Sequence, residues 1–336
     1  MSVLVTGGAG YIGSHVVRLL LDRGDEVVVV DRLSTGRRER IDGATLLETD
    51  LASPTAEDEI HEIVREHGLT GVLHFAALKS APESVQEPER YYRQNLDSLA
   101  NLLAGIRDSD VQAFVFSSSA AVYGEVSDEP VGEDAPLAPI NPYGQTKLAG
   151  EWLVRAATAV AGIPSVSLRY FNVGGAGWPD LGDEQVGNLF SITIERVLRG
   201  EPPIIYGDDY ATRDGTGVRD YVHVLDVAEA HLAALGALRG GLQHDVYNIG
   251  TGTGASVREV IDAVAAASGR LLHPVVSERR PGDPASVVAD VSRASRELAW
   301  RSRYSLSEMV ESAWNARAGA ARSGAGERIR PEAEQS

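Results

Sequence analysis

Near the start of the chain, "VLVTGGAGYIGSHVVRLL" sets Gly7, Gly10 and Gly13 between a four-residue apolar run and an amphipathic stretch. The first two glycines suit a sharp strand-to-helix turn that a pyrophosphate can approach closely. The third lets helix and strand pack together, with the helix N-terminus facing the anion. Gly8, Gly10 and Gly13 also satisfy the G-x-G-x-x-G spelling. Alone that spelling is weak, because many tight turns use glycine, but here a strand precedes it and a helix follows. The next strand, "EVVVV", ends in Asp31, eighteen residues past Gly13. A carboxylate at that spacing accepts from an adenosine ribose hydroxyl and repels a 2′-phosphate, so NAD is the expected cofactor over NADP. Arg32 beside it offers the opposite charge to a phosphate. Asp50 either reaches the adenine or is a turn residue.

Five further β-rich runs follow or accompany this unit: "EVVVV" (26–30), "ATLLET" (44–49), "GVLHFA" (71–76), "AFVFSSS" (113–119) and "SVSLRYF" (165–171). Helical patterns such as "EDEIHEIVREHG" alternate with them. This order predicts an α/β fold, a Rossmann-type doubly wound parallel sheet over residues 1–171. From residue 172 the connections turn Gly-, Asp- and Pro-rich, and a smaller C-terminal α/β substrate domain is expected over 172–316, with a segment near 218–240 returning to the first domain. Residues 317–336, polar and rich in Ala and Gly, are expected to form a flexible tail.

Composition narrows the function classes. A formal net charge of −17 disfavours a nucleic-acid partner, while leaving room for a small anion held by a few local donors. There are no cysteines, which removes disulfides, thiolate nucleophiles and Cys-ligated zinc. No apolar run approaches the roughly 20 residues of a membrane span, and "MSVLVTGG" leaves no room for a signal peptide. The expectation is a cytoplasmic globular enzyme without a membrane or metal partner. Of the eight histidines none forms an H-E-x-x-H pair, and His223, in an apolar run, reads as a core residue.

"NPYGQTK" puts Tyr143 and Lys147 four positions apart, on one face if the stretch is helical. The strand "AFVFSSS" ends in Ser117, Ser118 and Ser119, and the carboxyl ends of parallel strands line the ligand crevice. A Ser/Tyr/Lys constellation results. Tyrosine, with an ordinary pKa of about 10, becomes a base only if neighbouring positive charge favours its phenolate; a lysine ammonium and a nicotinamide cation would both do so.

"TGGAGYIG", "SSSAAVYG", "PYGQTK" and "RYFN" resemble the extended short-chain dehydrogenase/reductase family of nucleotide-sugar enzymes. "HFAALKSAPESVQEPERYY", "GDDYATRDGTGVRDYVHV" and "YNIGTGTG" are similar to its 4-epimerases, and the resemblance runs from about residue 2 to 314. It implies that NAD takes hydride from C4 of a UDP-hexose, that the keto sugar turns over, and that the hydride returns to the other face, interconverting UDP-galactose and UDP-glucose. It implies Tyr143 as base, Lys147 as the amine that tunes it and Ser119 as hydroxyl partner. Cofactor contacts fall at Gly7, Gly10, Tyr11, Ile12, Gly13, Asp31, Asp50, Leu51, Phe75, Ala76, Ala77, Lys79, Asn95, Ser117, Tyr143, Lys147, Tyr170 and Phe171. Substrate contacts fall at Lys79, Ser119, Tyr143, Asn172, Asn188, Leu189, Tyr206, Arg219, Tyr221, Arg280, Asp283 and Val287, with the two arginines on the diphosphate and Asp283 on ribose hydroxyls.

Some relatives carry a tyrosine at the position of Val287 that crowds the sugar 2-position; the smaller side chain would admit 2-acetamido sugars. A 4,6-dehydratase needs an acid and a base directly after the hydroxyl residue, where Ala120 and Ala121 stand. A non-catalytic NAD sensor on the same fold would not need the Ser/Tyr/Lys group. The apolar stretches "NLLAGI" (101–106) and "KLAGEWLVRAA" (147–157) fit either a homodimer interface, as in the family, or intramolecular core.

Overall fold

In a computed structural model that describes residues 1–126, 130–280 and 283–327, seven parallel strands form the central sheet. They are β1 (Ser2–Thr6), β2 (Glu26–Asp31), β3 (Thr45–Glu48), β4 (Gly71–His74), β5 (Phe114–Ser119), β6 (Ser165–Tyr170) and β7 (Asp245–Ile249). Their order is β7-β6-β5-β4-β1-β2-β3. The chain runs outward from β1 to β3, then crosses back to β4 on the other side of β1. Connections leave in opposite directions at that point, which opens the crevice where doubly wound sheets bind ligands.

Side-chain alternation explains why these runs are apolar throughout. Val3 and Val5 join Val27, Val29, Leu73, Val115 and Val166 on one face, while Leu4 joins Val28, Val30, Val72, Phe114 and Phe116 on the other. Both faces are covered, so both parities are largely apolar, the main exception being the buried row Ser165, Ser167 and Arg169 of β6. Helices Tyr11–Asp22 and Val224–Arg239 cover the first face through Val16, Val17, Leu20, Val227 and Ala234. Helices Ala56–Glu66, Ser98–Gly105 and Pro142–Ala161 cover the second through Ile60, Val64, Leu99, Leu102 and Val154. Each such buried aliphatic side chain contributes about 1.5–3 kcal/mol.

Helix Val224–Arg239 and strand β7 come from beyond residue 172 and still pack into the first sheet. The remaining chain builds smaller sheets: Val218–His223 pairs with Asn172–Gly174, Gly254–Ser256 and Ser286–Val287, and Ile204–Tyr206 pairs with Val275–Ser277. Helices Leu189–Leu198, Val257–Ser268 and Leu306–Glu327 enclose a separate core around Phe190, Ile194, Tyr221, Val260, Met309 and Val310. The last helix corrects one expectation. It runs through residues 317–327, read from the sequence as tail, because the alanine-rich stretch is helix-favouring, Ala316 and Ala318 are buried, and Arg317 pairs with Glu195. Residues 328–336 lie outside the described residues.

Candidate active site

The glycine turn is shaped by close approaches. Gly7 has φ +69°, and a Cβ there would lie 2.6 Å from Ala76 N; one on Gly13 would lie 2.4 Å from Gly7 O. Helix Tyr11–Asp22 starts at Gly10 with no side chain capping it, so its first-turn amides are left for a ligand. A cavity of about 370 Å³ opens over this turn. The cofactor positions named above line it, except Asn95 and Phe171. Asn95 instead brackets Leu78, accepting from its amide at 2.8 Å and donating to its carbonyl at 3.1 Å, and bonds Thr146 at 3.0 Å. It therefore shapes the wall without facing the cavity. Phe171 is buried in a cluster with Tyr123, Leu148 and Ala289.

Sequence reasoning missed Ser34, Thr35, Arg40 and residues 183–185, which also line the cavity. One signal was available: Gly36, just after Ser34 and Thr35, approaches so closely that a Cβ would lie 2.8 Å from Ala9 Cβ. Arg40 Nε, Ser117 Oγ and Tyr170 OH are buried on cavity-lining residues and find no hydrogen-bond partner among the described residues. Each such group costs about 1–3 kcal/mol until something pairs it. Uncapped amides, a Cβ-free floor and three waiting polar atoms fit a dinucleotide.

Asp31 accepts from the amides of Ala9 (3.0 Å) and Leu33 (2.8 Å). Burial pushes its carboxyl up, and these two amides oppose that. Arg32, also on the cavity wall, donates to Asp50 at 3.2 Å and to Gln94. The cation that would welcome a 2′-phosphate is already paired, which supports NAD.

Helix Pro142–Ala161 is defined at both ends. Asn141 accepts from Gly144 N at 2.9 Å, Pro142 fills the first position, and Gly162 ends it at φ +70°. Tyr143 and Lys147 thus stand one turn apart. Lys147 Nζ donates to Ser117 O at 2.7 Å and lies 6.0 Å from the Tyr143 ring centre. Burial pulls Lys147 down to about 8, with Glu151 opposing. Burial pushes the Tyr143 phenol up, and a hydrogen bond from Ser119 pulls against it. The ammonium was expected to acidify the phenol, but desolvation prevails, so the phenol of the protein alone stays protonated near pH 7. Ser119 Oγ also accepts from Ala121 N at 3.2 Å.

Of the expected substrate residues, Asn172, Arg219, Tyr221 and Val287 lie on the four-stranded sheet, Tyr206 on the two-stranded one, and Arg280 and Asp283 in the connection between them. Strand pairing sets Asn172 beside Tyr221, and Val287 beside Arg219. Arg219 pairs with Asp283, and Arg280 stacks on Tyr206 at 4.1 Å. Tyr221 meets Phe190 edge-on at 4.9 Å. Asn188 is a helix cap here, accepting from Ser191 N at 2.9 Å, with half-buried Leu189 the first helical residue. Lys79 is exposed at the rim of the cofactor cavity, 5.7 Å from the Tyr11 ring centre. Buried Asp220 knits this sheet together by accepting from Thr251 N, Gly252 N and Ala289 N. His223 is buried as a core residue, accepting from Leu225 N and meeting Ser312 Oγ. Tyr11 OH donates to Gly175 O at 2.6 Å, tying the cofactor turn to the loop after Asn172.

A doubly wound sheet, a glycine turn, a ribose-level carboxylate and a Ser/Tyr/Lys group together define a dinucleotide-dependent enzyme of the short-chain dehydrogenase/reductase class. The chain belongs to the NAD dependent epimerase/dehydratase family, which it matches over residues 3–250. It is 44% identical over 317 residues to a UDP-glucose 4-epimerase of Azospirillum brasilense, covering 93% of this chain and 90% of the relative. It is 42% identical to one of Bacillus subtilis, covering 94% and 96%. A UDP-glucose 4-epimerase of Stenotrophomonas maltophila, solved with bound NAD and formylated UDP-arabinopyranose, is 39% identical and superposes with a TM-score of 0.91, covering 96% of this chain and 99% of its own.

Proposed function

We propose that the protein interconverts UDP-galactose and UDP-glucose by removing and returning the hydrogen at C4 of the hexose. The observation that carries this reading is Tyr143 and Lys147 on the wall of the dinucleotide cavity with Ser119 beside the phenol, together with sequence identity to 4-epimerases along nearly the whole chain. NAD held over the glycine turn and Asp31 would supply a reversible hydride acceptor for C4 and a positive charge beside the phenol. The Tyr143 oxygen takes the proton of the 4-hydroxyl as the ketone forms and restores it as the alcohol re-forms. Ser119 steadies both oxygens by hydrogen bonds. Lys147, fixed to the Ser117 carbonyl, keeps a positive charge on the phenol's flank. Arg219 and Arg280 hold the diphosphate, with Asp283 exchanging its arginine partner for ribose hydroxyls, so the sugar can rotate while its anchor stays in place. Oxidation and reduction cancel, so the cofactor is retained through turnover.

A coupled assay for UDP-glucose formed from UDP-galactose tests the reading. Wild type is expected to turn over without added NAD, and Tyr143→Phe to lose about 10²–10⁴-fold in kcat. Equal rates for the two would refute it.

A second reading concerns substrate range. Val287 is half-buried, packed beside Phe171 and Tyr123, and it presents a small side chain next to Arg219. This supports acceptance of 2-acetamido UDP-sugars as well. The assembly reading also becomes more specific. "NLLAGI" packs inside the protomer, with Leu102, Leu103 and Ile106 buried. Trp152 and Val160, two turns apart on helix Pro142–Ala161, are 64% and 81% exposed, and Tyr92, whose OH donates to Gln145 on that helix at 2.9 Å, is exposed as well. They support a homodimer closed by this helix face; Trp152→Glu should then yield monomers in sedimentation. No helix among the described residues is long and apolar enough to cross a membrane, and a cysteine-free enzyme acting on UDP-sugars fits the cytoplasm.

A further inference from the structure

The chain contains two lysines, Lys79 and Lys147, and both line the cofactor cavity. Lys147 is buried near Glu151, one turn further along its helix, and Glu151 in turn pairs with buried Arg169 on β6. Glu151 Oε1 accepts from Ser118 Oγ at 2.5 Å and from Arg169 Nε at 2.8 Å, while Oε2 accepts from Arg169 Nη2 at 2.6 Å. Arg169 Nη1 donates to Tyr123 OH at 3.0 Å, which donates to Asn248 on β7 at 2.6 Å. Asn248 Nδ2 then donates to Val131 O at 2.8 Å, and Val131 bridges Ala289, two residues from Val287. A continuous polar chain therefore runs across β5, β6 and β7, from the catalytic helix to the segment flanking the sugar side.

Resting on the 4-epimerase reading above, we propose that Glu151 is a positioning residue of this site: it holds Ser118 and Arg169, so fixing the strand ends beside Ser119, and it is the counter-charge to Lys147. None of the chemistry proposed for Tyr143 and Ser119 requires Glu151 to touch substrate. Its place follows from charge balance. The titratable groups facing Lys147 are Tyr143 and Glu151 on its own helix and His74 on β4. His74 is neutral, pulled down to about 3 by burial and by the lysine itself. Of these groups Glu151 alone is negative. Without it, the buried ammonium would have no counter-charge and buried Arg169 would lose its carboxylate partner, and only the lysine can shed its proton, because a guanidinium does not. A neutral Lys147 gives the phenol no positive flank.

The test uses the NAD-loaded enzyme and its Glu151→Gln variant, which keeps the side chain's size. Carbon-13 labelling of the lysine Cε gives two NMR signals, with exposed Lys79 as internal control. The Lys147 titration should move down by about one unit or more in the variant, the scale of an opposite charge within roughly 6 Å. kcat for UDP-galactose should fall about tenfold or more and its alkaline limb should move down with the NMR midpoint. KM and NAD content should stay within about twofold. An unchanged Lys147 midpoint, or activity lost only in proportion to NAD, overturns the proposal. Ser118→Ala keeps every charge and cuts the link to the strand, so it should lower kcat without moving Lys147; an unchanged kcat overturns the positioning half. A wild type that leaves UDP-sugars untouched would sink the 4-epimerase reading, whereas the Lys147 midpoint in the Gln variant would still decide the charge pairing.

Discussion

Lys147 Nζ donates to the carbonyl of Ser117 at 2.7 Å, so the ammonium is tied to the strand whose last residue, Ser119, bonds the Tyr143 phenol. Helix and strand are thereby locked at the point where chemistry occurs. Burial holds the amine at about 8 and raises the phenol. The site by itself is a protonated tyrosine waiting for a second positive charge. In the proposed mechanism, base strength would appear only with cofactor bound, which would confine the reactive form to the loaded enzyme.

Lys147→Ala removes the ammonium and leaves a buried carbonyl unpaired. We expect kcat to fall roughly 10²-fold, with a stability loss of about 1–3 kcal/mol from the orphaned acceptor. Steady-state rates at saturating NAD, alongside urea unfolding, separate the two effects.

Gly13→Ala should cost the enzyme its cofactor. The new Cβ would sit 2.4 Å from Gly7 O and 2.8 Å from Gly8 Cα, both backbone atoms of the turn that receives the pyrophosphate. Overpacking of about 1–3 kcal/mol corresponds to NAD retention weaker by roughly 5- to 150-fold. NAD released by acid from the purified variant, per mole of chain, measures it.

Val287→Tyr should separate the two sugar series. Replacing the small side chain beside Arg219 with a phenol is expected to cut kcat/KM for UDP-GlcNAc by about 10-fold or more, from steric overlap of about 1–3 kcal/mol, while UDP-galactose changes by less than about threefold. Equal losses on both substrates would show that Val287 does not face the 2-position.

Acid should destabilise the fold at mild pH. His15, His74, His223 and His231 are buried, and burial pulls them down to about 4, 3, 4 and 4. Unfolded, each titrates near ~6.5, so the stability they confer is complete above that pH and is lost as pH falls toward 4. Asp226, pushed up to about 6 by burial, has the opposite sign and offsets one of the four. Asp31, Glu133 and Asp220, also raised by burial, share that sign lower down. The urea midpoint should therefore be lower at about pH 5.5 than at about pH 7; no decrease would contradict the buried neutral imidazoles.

The six strands legible in the sequence each carry an apolar row on at least one face; in β6 it is Val166, Leu168 and Tyr170, opposite buried Ser165, Ser167 and Arg169. Strand β7 escaped because its centre, Tyr247 and Asn248, is polar: Tyr247 OH reaches Glu297 at 2.9 Å and Asn248 serves the buried polar chain. A strand built to carry a network does not look like core. The glycine turn and the Tyr/Lys pair were readable because their spacing is local. Arg40 and residues 183–185 were not, since only the fold brings them over the cavity. The electrostatics of the cofactor-free site are tertiary for a related reason. Local spacing put an ammonium near a phenol, but the degree of burial that outweighs it is a tertiary property.

The central claim is that hydrogen leaves C4 as hydride and returns to the same carbon without meeting solvent. Incubating the enzyme with UDP-galactose deuterated at C4, in ordinary water, tests it most directly. The UDP-glucose formed should keep its deuterium at C4; loss of the label to water, or no conversion by enzyme carrying NAD, would contradict the account.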